Sequence, residues 1–283
     1  SLFKHNAKIE KLINFAHMKI DVRRVIEAKN ARLAKCLPKF VINWLRRIIH
    51  EQELNLFFEE AGDAKGIDFA NKAIERLKVT YTIEVSEEAL KEDGRYIFVS
   101  NHPLGGLDGL ILISTIGKRY KNLKFLVNDF LMHVKAMDNI FVPVNKVGGM
   151  SRSYSQGIEE MYASGNQLLY FPAGICSRRI NGEITDLEWQ LSFYKKALRS
   201  GREIVPVHFS GRNSNFFYRL ANIRKFLGIK FNIEMLFLPD EMIKAAGSHY
   251  TIKIGKPIAP KEYRNKAELK SLVEEIRRIS YNL

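Results

Sequence analysis

From residue 79 onward, short apolar runs alternate with longer stretches of helical period. Val79 to Val85 reads Val-Thr-Tyr-Thr-Ile-Glu-Val, the alternation of a half-buried strand, and Tyr96-Ile97-Phe98-Val99 is the unbroken apolar run of a strand covered on both faces. Further strands are expected near 123–127, 139–144, 167–171, 204–209, 232–238 and 250–254. Helical spacing occupies 107–117, 129–137, 151–164, 188–199, 213–227 and 264–279. Such alternation predicts an α/β fold with a mainly parallel, mixed sheet flanked by helices. The last two strands have no clear helix between them and are free to run antiparallel.

Residues 1 to about 76 show helical spacing throughout, broken at Pro38 and by a connection from Ala61 to Gly66. The expected organisation is an N-terminal helical, basic amphipathic segment over 1–78 and an α/β domain over 79–283. Leu12, Ile13, Phe15, Ala16 and Ile20 recur among Lys8, Lys11 and Lys19, and Phe40, Val41, Trp44, Leu45, Ile48 and Ile49 recur beside Arg46 and Arg47.

Charge sharpens that picture. The net charge is +14, and the first fifty residues hold twelve Lys and Arg against three acids. A block of this kind suits an anionic partner, either nucleic acid or an anionic membrane. No nucleic-acid motif is present, and the aromatic residues are not interleaved with Lys and Arg on a strand face, so no nucleic-acid partner is expected. Basic amphipathic helices carrying Trp and Phe suit a membrane surface. The competing reading is that these apolar faces pack on the α/β domain. No apolar run reaches spanning length, so the expected association is peripheral and monotopic.

Hydrophobic residues make up 46% and charged residues 27% of the chain, globular values. Cys36 and Cys176 are far apart and lack metal-ligand spacing, so a reducing compartment, no disulfide and no metal are expected. A chain opening on Ser1 rather than Met points to a processed start.

Candidate chemistry concentrates in Ser100-Asn101-His102-Pro103-Leu104-Gly105-Gly106-Leu107-Asp108-Gly109. The run places His102 at a strand's carboxyl end, where α/β sheets bind ligands, and Asp108 in a helix's first turn, where the dipole favours an anion. A His-Asp pair so placed can deprotonate a hydroxyl. His208 follows another strand and is either a second proton carrier or a structural histidine; Arg212 lies four residues on. Cys176 is either a small buried residue or an acyl-accepting thiol.

Asn101-His102 before a glycine-rich turn and an Asp, then Leu168-Leu169-Tyr170-Phe171-Pro172-Ala173-Gly174, then Ile204-Val205-Pro206-Val207, resembles the glycerolipid acyltransferase superfamily. In that family an Asn-His-four-residues-Asp motif supplies the general base, a Phe-Pro-Glu-Gly motif follows, and a Val-Pro-Val-like strand closes the pattern. The likeness spans about residues 80 to 260. Five residues rather than four separate His102 from Asp108, which requires a wider turn at Gly105-Gly106. Ala173 stands where the family has Glu, Cys176 where it has Arg, and Ile140-Phe141-Val142-Pro143-Val144 ends without the family's phosphate-binding Arg, though Asn145 and Lys146 follow. A branch labelled hemolysin carries His-Pro-Leu-Gly-Gly-Leu-Asp-Gly almost as written here. That branch is similar to bacterial O-acyltransferases that complete ornithine and glycine lipids.

The resemblance implies an O-acyltransferase that moves a fatty acyl chain from a thioester of acyl carrier protein or coenzyme A to the hydroxyl of a lyso-lipid, with no further cofactor, at the cytoplasmic face of a bacterial inner membrane. His102 and Asp108 are the expected catalytic pair; Arg178, Arg179, Lys146, Gly174 and Asn101 are the expected substrate-binding set. The altered motifs favour an ornithine- or glycine-type acceptor, whose single carboxylate one guanidinium can hold. The alternatives are a 1-acylglycerol-3-phosphate acyltransferase and, outside enzymes, a basic peripheral membrane-binding protein.

Overall fold

The computed structural model describes residues 19–29, 31–86, 90–127, 132, 134–143 and 152–283. It opens on helices α1 (Val22–Lys29), α2 (Ala31–Cys36), α3 (Lys39–Ile49), α4 (Glu51–Ala61) and α5 (Ile67–Arg76). Pro38 caps α3 in the extended conformation that its ring enforces, and the expected connection after Ala61 turns through Gly62 and Gly66. The face expected at Leu12 to Ala16 lies outside the described residues.

The chain continues through β1 (Thr80–Val85), β2 (Tyr96–Ser100), α6 (Gly106–Arg119), β3 (Leu123–Val127), β4 (Phe141–Pro143), α7 (Arg152–Ala163) and β5 (Gln167–Tyr170). A hairpin of β6 (Arg178–Ile180) and β7 (Glu183–Thr185) precedes α8 (Ser192–Ser200), β8 (Glu203–Phe209), α9 (Asn215–Phe226), α10 (Leu238–Lys244), β9 (His249–Ile254) and α11 (Lys266–Tyr281).

The main sheet runs β1-β9-β8-β2-β5-β3-β4. Its pairings are parallel except β8 with β9, where Val207 faces Ile254. The expected mainly parallel, mixed sheet flanked by helices is therefore present. Strand periodicity explains the layers: along β2, Phe98 enters one core and Ile97 and Val99 the other. The first core receives Phe69, Ala70 and Ile74 of α5 and Leu107 and Ile111 of α6; the second receives Phe193 of α8 and Leu269 and Val273 of α11. Helix α5 thus belongs to the packing of the sheet itself.

Three sequence expectations change. The strand expected at 232–238 is a 3-10 turn over Ile233–Phe237 that runs into α10. An apolar run this short has no decisive period, and here Glu234 sits fully buried in its middle, held by Arg178 and Arg224, while Pro239 presets the first turn of α10. The antiparallel partner of β9 is consequently β8. Of the helix expected at 129–137, the described part is a single 3-10 turn, Lys135–Met137. The β6-β7 hairpin was not expected, although its Asn181-Gly182 turn, with both residues at positive φ (50° and 90°), carries the strongest two-residue hairpin signal a sequence has.

At the opposite edge of the sheet from the site, Arg202 is completely buried just before β8. Its guanidinium donates to the carbonyls of Tyr162 (2.7 Å), Ser164 (2.5 Å) and Asn166 (2.7 Å), tying the C-terminal carbonyls of α7 and the loop after it to the start of the strand. Replacement by Met removes all of these donors; Arg95 still reaches the Tyr162 and Ser164 carbonyls, at 3.1 and 3.3 Å, but the Asn166 carbonyl loses its guanidinium. Arg202→Met is expected to lower unfolding free energy by about 3 kcal/mol in urea titration.

Candidate active site

Strand β2 delivers Asn101 and His102 to the carboxyl edge of the sheet, and the chain turns sharply into α6. Gly105 makes that turn at φ +86°, and a Cβ there would meet the Leu238 side chain at 2.9 Å. Asp108, fully buried in the first turn of α6, then reaches back so that its Oδ2 lies 3.0 Å from His102 Nδ1. The same carboxylate accepts the Leu104 N–H at 2.9 Å and the Gly109 N–H at 2.8 Å. An ionised carboxylate only accepts, so Nδ1 carries the proton and Nε2 keeps its lone pair. Phe171, leaving β5, stacks flat on the imidazole with ring centres 3.9 Å apart and 18° between planes. Ring plane, tautomer and the orientation of Nε2 are thereby all set.

Sequence reasoning missed Asp186. Its buried carboxylate accepts the His102 backbone N–H (3.2 Å), the Ser177 hydroxyl (2.6 Å) and the Trp189 indole N–H (2.9 Å). The His102 carbonyl in turn accepts the Ser177 N–H at 2.7 Å. The catalytic loop is therefore clamped to the segment after Phe171 on both sides of the peptide unit. Nothing in spacing marks Asp186; only the run Asp186-Leu187-Glu188-Trp189 hinted at a polar group beside a large aromatic.

The expected binding residues divide. Asn101 is buried, its amide spanning both backbone groups of Phe209, at 2.9 Å to the carbonyl and 2.7 Å from the N–H. It extends the β2-β8 ladder by one side-chain-made rung and so holds the edge from which His102 emerges. Arg178 is also turned inward: it donates to the Cys176 carbonyl (2.6 Å), pairs with Glu234 (2.9 Å) and lies over the Phe217 ring. Its charge is neutralised internally and is unavailable to an acceptor.

Arg179, the next residue on β6, points to the other side, over Tyr218, and donates to Asn215 Oδ1 at 2.7 Å. Arg212 donates to the same oxygen. Two guanidinium groups thus converge on one neutral oxygen, and among the described residues neither has a carboxylate in ion-pair range. Gly174 lies exposed at φ +72° in the turn closed by its N–H to the Phe171 carbonyl. Lys146 falls outside the described residues.

Cys176 is buried, and burial pushes its thiol up to about 11, so it stays protonated and does not serve as an acyl acceptor. His208 packs edge-on to Tyr281; burial, reinforced by Lys253, pulls its imidazole below the usual range and keeps it neutral.

A histidine oriented by a buried carboxylate at the carboxyl edge of a parallel sheet is the layout of an acyl-transferring site, and the chain matches the Acyltransferase family model over residues 24–283. It belongs to that family and is an acyltransferase. It is similar to the lyso-glycine lipid O-acyltransferase of Phocaeicola vulgatus, 46% identical over 84% of this chain and 86% of that protein. The same-named protein of Bacteroides thetaiotaomicron is 43% identical over 93% of this chain and 97% of that protein. Among solved structures, the 1-acyl-sn-glycerophosphate (LPA) acyltransferase PlsC from Thermotoga maritima aligns at 19% identity with a TM-score of 0.47, over 86% of this chain and 88% of that chain.

Asp186→Ala is expected to lower single-turnover acyl transfer about a hundredfold by loosening the His102 loop. Trp189→Phe leaves the carboxylate's contacts to His102 and Ser177 in place and is expected to cost much less. Equal losses in the two variants, measured alongside thermal melts, would place the effect in core packing.

Proposed function

We propose that this chain completes an amino-acid lipid: it transfers a fatty acyl group from a thioester to the free hydroxyl of a lyso-glycine-type lipid. The observation that carries the reading is the His102 Nδ1–Asp108 pair, which leaves Nε2 as a fixed general base. The acceptor hydroxyl donates to Nε2, its oxygen attacks the thioester carbonyl, and the proton passes to the imidazole as the C–O bond forms. Buried Asp108 stabilises the imidazolium. Collapse of the tetrahedral intermediate breaks the C–S bond, and His102 returns the proton to the departing thiolate. The N-terminus of α6 carries no side-chain cap beside His102, so its amides suit the developing oxyanion.

The acceptor carboxylate fits the Arg179–Arg212 pair, which offers a paired guanidinium face without an internal counter-charge. The names of the two curated relatives support this acceptor class. A thioester of acyl carrier protein or coenzyme A is the proposed donor; both are anionic, and the chain's +14 charge suits either. The setting we infer is the cytoplasmic face of the inner membrane, with the chain held peripherally. Among the described residues no helix is long and apolar enough to cross a membrane.

His102→Ala is expected to lower acyl transfer by about 10²- to 10⁴-fold without loss of folding, and Asp108→Asn to lower it steeply as well. With one acyl donor, lyso-glycine lipid should turn over faster than lysophosphatidate, and Arg179→Gln should raise KM for the former more than it lowers kcat. Faster turnover of lysophosphatidate would replace the acceptor assignment and leave the acyl-transfer chemistry standing.

A further inference from the structure

Residues 211–233 contain no acid and five basic residues, and they include Phe226, the most exposed large apolar side chain among the described residues. Phe226 is 90% and Phe231 64% exposed, and Leu227 and Ile229 between them are also exposed. Ordinary surface chemistry scatters such residues singly; four within six positions, interrupted only by Gly228 and Lys230, form a patch.

The tip is built rather than loose. Gly228, at φ +68°, ends α9 in a Schellman turn: its N–H donates to the Lys225 carbonyl and the Ile229 N–H to the Arg224 carbonyl, both at 3.1 Å. The Arg224 side chain returns to the Ile229 carbonyl at 2.8 Å and pairs with buried Glu234. An ordered turn that fixes apolar side chains outward while its polar groups are internally satisfied is preorganised for an apolar medium.

Chemistry at the rim identifies that medium. Lys225 and Lys230 flank the apolar side chains, and Phe216 continues the patch along α9 to Phe237 (ring centres 5.0 Å apart), which Trp44 of the basic helix α3 meets from the other side at 6.1 Å. Apolar side chains ringed by unopposed cations match a bilayer with anionic headgroups, where each Lys or Arg adds to the attraction that apolar insertion then secures.

We propose that the 225–231 tip is a membrane-insertion element, docking this acyltransferase on an anionic bilayer. It rests on the reading of the chain as a peripheral lipid acyltransferase. Both ends of the excursion that carries the tip return to the catalytic edge of the sheet: it leaves after β8, and Leu238 closes against Gly105 in the His102 turn. Glu234, at the root of the tip, pairs with Arg178 on the strand that follows the Ser177 clamp. Insertion at the tip thus places the lipid surface next to the site that needs a lyso-lipid.

The test uses the full chain and vesicles of phosphatidylcholine with or without phosphatidylglycerol. In a Trp44→Phe background, Phe226→Trp should shift its emission to the blue on phosphatidylglycerol-containing vesicles and be quenched by brominated acyl chains. Phe226→Ser with Phe231→Ser should weaken co-sedimentation about tenfold or more, and Lys225→Gln with Lys230→Gln should reduce its salt-sensitive part. The sites are exposed, so melting temperatures should hold, and transfer to detergent-dispersed acceptor should persist. Absent quenching, or co-sedimentation of the Phe double variant within twofold of the unsubstituted chain, would overturn the proposal. So would a shift from dimer to monomer in that variant with vesicle binding intact, which would make a second copy of the chain the occupant. Failure of the unsubstituted chain to transfer acyl groups in detergent would overturn the catalytic reading instead, and the quenching result would still decide the docking.

Discussion

Strand β2 is covered on both faces and paired on both edges, and every group at the site is referenced to its carboxyl end. Its five residues are buried, Phe98 toward one core and Ile97 and Val99 toward the other, with β8 and β5 alongside. A strand locked this way cannot slip register without turning its apolar side chains to the wrong layer. The residue that follows it is consequently held in a fixed position, and that residue is Asn101, whose amide adds one more rung to β8 before His102 emerges.

Two buried carboxylates then divide the work at His102. Asp108 acts on the ring, selecting the tautomer; Asp186 acts on the backbone, binding its N–H together with the groups of Ser177 and Trp189. Both are offset by several hydrogen-bond donors, as a buried anion requires. Phe171 closes the remaining freedom by lying on the ring. The site is rigid for the same reason the core is: its polar groups are satisfied within the protein, and the proposed chemistry takes up the remaining ring nitrogen, Nε2.

The cationic groups show a parallel division. Arg178 and Arg179 are adjacent in sequence, yet strand alternation sends one inward to Glu234 and the other outward to share Asn215 with Arg212. The inward one anchors the root of the 225–231 tip; the outward one has no carboxylate in ion-pair range among the described residues. The His102 turn, the β6-β7 hairpin and the apolar tip are linked through short chains of buried contacts.

The sequence by itself determined the layered α/β architecture, because strand and helix periods are local and strong, and it determined the His102–Asp108 pair, because a glycine-rich turn between strand and helix leaves few other geometries. The strongly basic balance was legible too, since charge needs no fold to be counted. Tertiary structure alone decided the rest. Whether Ile233–Phe237 is strand or turn depended on Arg178 and Arg224 arriving to bury Glu234, a long-range event with no local period. That Asp186 grips the His102 backbone depended on two segments separated by 84 positions meeting at one edge. Which of two neighbouring arginines turns inward to Glu234 and which outward to Asn215 was settled by a three-residue strand in a hairpin whose Asn-Gly turn was visible but whose facing was not. Exposure of Phe226 and Phe231 likewise could be known only once the core had taken every apolar side chain it could reach, and had left these out.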